Sequence, residues 1–306
     1  MPAKPSNDKP SNDKPGTDKA AASKPAAATP PAGRPPEKLH FISGLPRSGS
    51  TLLSAILKQN PRFHAGMTSP VGDLIGALVA EMSGKNDFSV VISDEQRMAV
   101  LRGVFQNFYG GFHNTEVVFD TGRVWCSKMP LLASMFPASK VIACVREVPW
   151  VLDSVERLVR KQPLSVSKMF NYNPNGTVYS RTEALANAGG MVGFSWQATK
   201  DAWYGQYAPG RMALMTYHSL TTNPKAAMQA LYKFIGEPYF EHDFEHIEYN
   251  ANEFDARLGM RDLHTVRSKV SAPKRESVLP PDLFNRYVND SFWLDPKNNL
   301  RKVPVI

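Results

Sequence analysis

Cysteine is nearly absent from this chain. Two residues in 306, Cys126 and Cys144, are too few for a disulfide framework, and no Cys/His spacing suggests zinc or another metal. A reducing cytoplasm is the simplest compartment for such a composition. Long apolar runs are missing as well: nothing approaches the ~20 residues that a membrane span needs. Residues 1–36 contain no aromatic, Ile, Leu or Val at all. A stretch with so little to bury cannot offset the entropy of ordering, so it is expected to be a disordered Pro/Ala/Lys-rich tail. It carries PSNDK twice in tandem, and it lacks the apolar centre of a secretory signal. Acid is in short supply too, with 28 Asp and Glu against 36 Lys and Arg, for a formal net charge of +8. The tail holds six Lys/Arg and three Asp, so the remaining excess is mild. That excess suits an anionic small molecule, and no nucleic-acid partner is expected.

What is present is a run of α/β units. Hydrophobic residues make up 42% of the chain, enough for one sizeable domain, expected over residues 37–306. Four apolar, β-branched or aromatic runs read as buried parallel strands: His40–Ser43, Val117–Thr121, Lys140–Arg146 and Met212–His218. Between them lie helical patterns. Thr51–Gln59 ends before Pro61, and further helical segments fall within 70–83 and 94–109. Pro149–Lys161 and Pro224–Ile235 both start on proline, and Gly236 stands as a stop after the second. A long stretch from about Arg181 to Tyr207 is interrupted by Gly189, Gly190 and Gly193. From Glu237 onward the chain reads as polar and irregular, with a last helix near Pro281–Val288. The expected fold is α/β: a P-loop-like parallel sheet with helices on both faces.

One stretch carries the chemistry. Residues 41–57 read FISGLPRSGSTLLSAIL, a strand, a glycine-rich turn and a helix. The free amides of such a turn and helix start point at an anion, and the helix dipole favours its charge. Gly44 and Gly49 permit the close approach, and Ser48, Ser50 and Thr51 add hydroxyls. A triphosphate-binding loop would carry a lysine at position 50. This one has Ser50, and a guanidinium at Arg47 instead. Residues 140–157 read KVIACVREVPWVLDSVER, where Arg146 ends an apolar strand and Ser154 follows on the next helix. The carboxyl ends of parallel strands are where open α/β sheets bind ligands.

The loop Gly44–Leu53 resembles the first nucleotide-binding signature of sulfotransferases, closest to the tyrosylprotein and bacterial branch. The Arg146…Ser154 spacing resembles the second. The resemblance extends over most of residues 39–290, including the run from Phe136 to Val141 and the stretch MTYHSLTTNPKAAMQALYKFIGEP. It implies 3′-phosphoadenosine-5′-phosphosulfate as co-substrate, with the 5′-phosphosulfate on the loop and the 3′-phosphate on Arg146 and Ser154. It further implies Tyr204 near the nucleotide and Arg267, in a basic late segment, near the 3′-phosphate. A donor without a γ-phosphate accounts for the missing lysine, and no metal is implied. The acceptor is a hydroxyl compound: peptide tyrosine, sugar or small metabolite.

The acceptor side departs from the family. The branch's catalytic glutamate falls on Thr68, which is no base, and His218 stands where that branch carries an acid. Asp120, at the end of a strand, is the first substitute for the base, Asp73 the second, and His64 a third. The family's post-strand lysine falls on Thr121; Arg123, Lys128 or Arg47 itself would supply the cation. Two other classes stay open at this point: a P-loop kinase, which would need a lysine and a magnesium aspartate, and a non-catalytic nucleotide-binding module.

Overall fold

The apolar runs form strands buried on both faces. In the computed structural model the described residues are 38–84, 86–112, 115–164, 166–272 and 274–306, and the expected tail lies outside them. The strands are β1 (Lys38–Gly44), β2 (Phe63–Ala65), β3 (Val117–Thr121), β4 (Val141–Val145) and β5 (Met212–Thr216). They make one sheet in the order β2-β3-β1-β4-β5, parallel throughout. Successive residues alternate between two cores. Leu39 and Phe41, Val141, Ala143 and Val145, and Met212 and Leu214 face one. Ile42, Ile142 and Cys144, and Met215 face the other. That period of two, with both sides apolar, is the mark of a parallel sheet covered by helices on each face.

The helices are α1 (Ser50–Leu57), α2 (Val71–Glu81), α3 (Asp94–Tyr109), α4 (Met129–Met135), α5 (Val148–Lys161), α6 (Val178–Ala186), α7 (Met191–Tyr204), α8 (Tyr217–Thr222), α9 (Pro224–Ile235), α10 (Asn252–Arg257) and α11 (Pro281–Arg286). On the first face lie α2, α3, α5 and α7; on the second lie α1 and α9. Residues 38–306 thus form a single α/β domain, in the expected P-loop-like arrangement.

Local chemistry sets the boundaries. Gly236, at φ 74, stops α9 as its sequence position predicts. The interrupted stretch divides into α6 and α7 around Gly189 and Gly190, and a Cβ on Gly190 would lie 2.2 Å from the Ala184 carbonyl oxygen. The expected strand to His218 ends sooner, because the Thr216 hydroxyl accepts from the Ser219 amide at 3.1 Å and starts α8. His218 therefore sits exposed on a helix. The outer edge of β5 is covered by the chain's last residues. Leu214 N–H donates to Pro304 O, Ile306 N–H to Leu214 O and Thr216 N–H to Ile306 O, each at 2.8 Å. Among the described residues no helix is long and apolar enough to cross a membrane.

Two imidazoles are held neutral inside the fold. His40 Nδ1 accepts from the Lys140 amide at 3.1 Å, and His242 Nε2 pairs with the Tyr232 hydroxyl at 3.0 Å. Burial, the largest cause in both, pushes each down to about 4 from an ordinary 6.5. The unfolded chain then binds more protons than the native one between those values, so stability rises with pH across that window. Denaturant unfolding at a series of pH values should show full stability above pH 6.5 and a loss approaching roughly 3 kcal/mol per histidine as pH falls to 4. His40→Gln with His242→Gln should flatten that slope; an unchanged slope would assign it to other groups.

Candidate active site

β1 has β3 on one side and β4 on the other, so the chain direction of the sheet's connections reverses beside it. In such sheets the crevice at the strands' carboxyl ends holds the ligand. Here that crevice is a cavity of about 700 Å³. Its floor is Ser43–Arg47 and Gly49–Leu52, the turn from β1 into α1. Gly44 takes φ 100 and Gly49 takes φ 94, and Gly49 is the N-cap of α1. No side chain caps this helix and no acid stands in its first turn, so its opening amides and its dipole are left for an anion.

Arg47 itself takes φ 58, a left-handed conformation that costs a residue with a Cβ about 1–2 kcal/mol. The side chain gains a definite partner there: Arg47 Nε donates to Ser154 Oγ at 3.1 Å. The two anion signatures, 107 residues apart, are thereby joined. Burial, followed by the repulsion of Arg146 and Arg275, pushes the Arg47 guanidinium down to about 10, while Tyr217 and Asp255 pull the other way. It remains a cation at neutral pH.

Arg146 leaves β4 and lies over the Tyr217 ring at 4.2 Å. Beyond it stands Arg275, which the sequence reading missed. Arg275 Nη2 lies 2.8 Å from Asp153 Oδ2, and Asp153 is fully buried on α5, one residue before Ser154. The same carboxylate accepts from the Val278 amide at 2.8 Å and from the Ser277 hydroxyl at 3.2 Å. Asp153 thus fastens a late, irregular segment to α5 and brings Arg275 to the same wall as Arg146. Both guanidiniums flank the Trp150 ring, at 6.0 and 5.8 Å. Arg267 and Lys269 line the cavity from another part of that late segment.

Most residues singled out from the sequence therefore meet in one place: Gly44, Arg47, Gly49, Ser50, Thr51, Asp73, Arg146, Ser154 and Arg267 all line the cavity. Others do not. Ser48 is buried and turns its hydroxyl back to the Pro46 carbonyl at 3.3 Å. Tyr204 is at the far end of α7, whose first residue Met191 lines the cavity; thirteen residues of helix separate them by about 20 Å. Its ring packs beside Phe292 instead. Lys128 ends the 3-10 turn Arg123–Lys128, of which Arg123 and Val124 line the cavity and Lys128 does not. His64 lies on β2 against Tyr109 and Phe112.

Asp120 requires a correction. It lies one residue before the end of β3, but its side chain is fully buried and is not among the residues that line the cavity. It accepts from Ser69 Oγ at 2.8 Å, Tyr109 Oη at 2.7 Å and Trp125 Nε1 at 2.8 Å. Burial raises its pKa and those three donors oppose the rise. A carboxylate so engaged ties the approach to α2, the end of α3 and the 3-10 turn to the sheet, and its oxygens are occupied by those donors. Asp73, exposed on the first turn of α2, is the acid among the described lining residues, and its charge acts on the Arg123 guanidinium. Among the described residues no group of three or more His, Cys, Asp or Glu side chains is placed to hold a metal ion.

The lining also contains His264, another residue the sequence reading did not single out. Its Nδ1 lies 2.5 Å from Asp255 Oδ1, and its backbone N–H donates to Asp255 Oδ2 at 2.9 Å. Nothing in the local pattern announces this pair, which the fold makes by returning the chain after α10.

Comparison with known proteins agrees with this geometry. A Caenorhabditis briggsae protein that carries the name of a protein-tyrosine sulfotransferase is 24% identical over 246 residues, covering 75% of this chain and 79% of that protein. The fold is like that of the sulfotransferase domain from the curacin biosynthetic pathway, with a TM-score of 0.51, 16% identity, and coverage of 83% of this chain and 97% of that one. Residues 40–241, which hold the glycine-rich turn, Arg146 and Ser154, match the sulfotransferase family, and the chain belongs to that family.

Proposed function

We propose that this sulfotransferase takes 3′-phosphoadenosine-5′-phosphosulfate as donor and a hydroxyl compound as acceptor. The observation that carries the reading is the bond from Arg47 Nε to Ser154 Oγ at 3.1 Å, which joins the two candidate anion-binding segments. The turn Gly44–Thr51 and the start of α1 receive the 5′-phosphosulfate. Arg146, Ser154 and Arg275 receive the 3′-phosphate, with Arg267 closing from the late segment. Arg47 stands between the two ends and meets the charge that grows on the bridging oxygen as sulfur leaves. The cavity lining also includes Met67, Met169, Met191 and Phe194, apolar side chains suited to the carbon body of an acceptor such as an aromatic alcohol. A kinase would need the lysine that Ser50 replaces. The buried, free Cys126 and Cys144 fit a reducing cytoplasm.

The test is calorimetric. Adenosine 3′,5′-bisphosphate should bind the wild-type protein without magnesium, and Arg146→Ala should weaken it by roughly 1.5–3 kcal/mol. The same variant should bind 5′-AMP nearly as well as the wild type does. Equal weakening of both nucleotides would take Arg146 away from the 3′-phosphate; binding of ATP with magnesium in preference to the bisphosphate would favour the kinase.

A further inference from the structure

The sulfuryl-transfer reading leaves one group without a residue, the base that takes the acceptor's proton. Thr68 lines the cavity at the position where the family resemblance calls for that base, and it cannot serve. Asp120 is enclosed by three donors. Asp73 is an exposed carboxylate whose charge acts on Arg123.

Resting on that reading, we infer that His264 is the general base, held in place by Asp255. Asp255 is 2% exposed and receives two bonds from one residue: the backbone N–H of His264 at 2.9 Å and its ring Nδ1 at 2.5 Å. A carboxylate only accepts, so Nδ1 carries the ring proton and Nε2 keeps its lone pair. His264 lines the cavity, and among the described residues no hydrogen bond engages Nε2. The Phe254 ring packs edge-on at 5.5 Å and limits the imidazole's rotation. The charged groups that face this ring are Asp255 from α10, Arg47 from the phosphate-binding turn and Arg123 from the turn after β3. Burial lowers its pKa first; Asp255 raises it, and Arg47 and Arg123 lower it again. A neutral imidazole near the loop that grips the phosphosulfate is a base suited to neutral pH.

The step balances with these groups alone. Nε2 takes the proton of the acceptor hydroxyl as its oxygen bonds to sulfur. The bond between sulfur and the bridging oxygen breaks, and its electron pair leaves with the 5′-phosphate as adenosine 3′,5′-bisphosphate. Asp255 stabilises the imidazolium, which then returns its proton to water. His264 is the catalytic residue of this pair and Asp255 the positioning residue.

Three measurements on the full chain test it: bisphosphate affinity, and the pH dependence of kcat with phenol and with the more acidic 4-nitrophenol as acceptors. His264→Ala should bind the bisphosphate like the wild type and lose about 10²–10⁴-fold in kcat with phenol. The loss should be smaller with 4-nitrophenol, which needs less help to give up its proton, and added imidazole should restore part of the rate. The acid limb of the wild-type profile should lie below pH 6.5 and vanish in His264→Ala. Asp255→Asn should move that limb lower still, which a merely structural partner would not do. Unchanged kcat in His264→Ala, or equal losses with both phenols and no rescue, would overturn the dyad while leaving the donor site intact. Failure of the wild type to bind the bisphosphate would overturn the donor reading and the dyad with it.

Discussion

Gly44→Ala should leave little or no folded protein. Gly44 is the last residue of β1, paired with Cys144 of β4, at φ 100. A Cβ there would lie 2.1 Å from the Cys144 carbonyl oxygen and 2.5 Å from its amide nitrogen. Those atoms belong to the backbone at the centre of the sheet, so no side-chain rotation relieves the collision. The strands would have to part where β1 hands the chain to the glycine-rich turn. A loss beyond about 5 kcal/mol is expected, comparable to the whole stability of many domains. Gly210→Ala is the control, since φ is 69 and nothing lies within 4 Å of its Cβ. It should cost only about 1–2 kcal/mol, the strain of the left-handed conformation alone. Soluble yield and denaturant unfolding of the two variants give the comparison, and similar stabilities would show that β1 and β4 can separate without harm.

Arg47→Gly should abolish most turnover while the protein stays folded. Glycine relieves the φ of 58, so the variant removes the cation without adding strain. If Arg47 meets charge that develops only as the sulfur–oxygen bond breaks, its removal should lower kcat by about 10²–10³-fold. On the proposed donor site, bisphosphate affinity should fall by much less, because the turn amides and Arg146 would still hold the ground state. Steady-state kinetics with the phosphosulfate donor, beside calorimetry with the product, separates the two effects. Equal losses would make Arg47 a simple clamp on the donor.

Those two residues were legible early because their chemistry is local. Strand, turn and helix follow one another within seventeen residues, and only glycine fits at positions 44 and 49. Arg146 and Ser154 share that quality, lying on consecutive elements. Strand β2 was missed because three residues, Phe63–Ala65, show no periodicity. The burial of Asp120 was hidden for another reason. Its place at the end of β3 was right, but the side its carboxylate takes is decided by Ser69, Tyr109 and Trp125, which arrive from other elements. Arg275 and the Asp255–His264 pair lie in a stretch that reads as polar and irregular. Their positions depend on a buried aspartate on α5 and on the turn after α10, and neither leaves a pattern in the chain.

The covering of β5 by residues 304–306 has a consequence for association between molecules. A strand at the rim of a sheet offers its backbone groups to any chain that can lie alongside, and a second copy of the same protein is the nearest such chain. Here the amides of Leu214 and Thr216 and the carbonyl of Leu214 are already taken by Pro304 and Ile306. The three residues work as a cap against edge-to-edge pairing, so their removal would turn the flank beside Arg146's own strand into an adhesive surface.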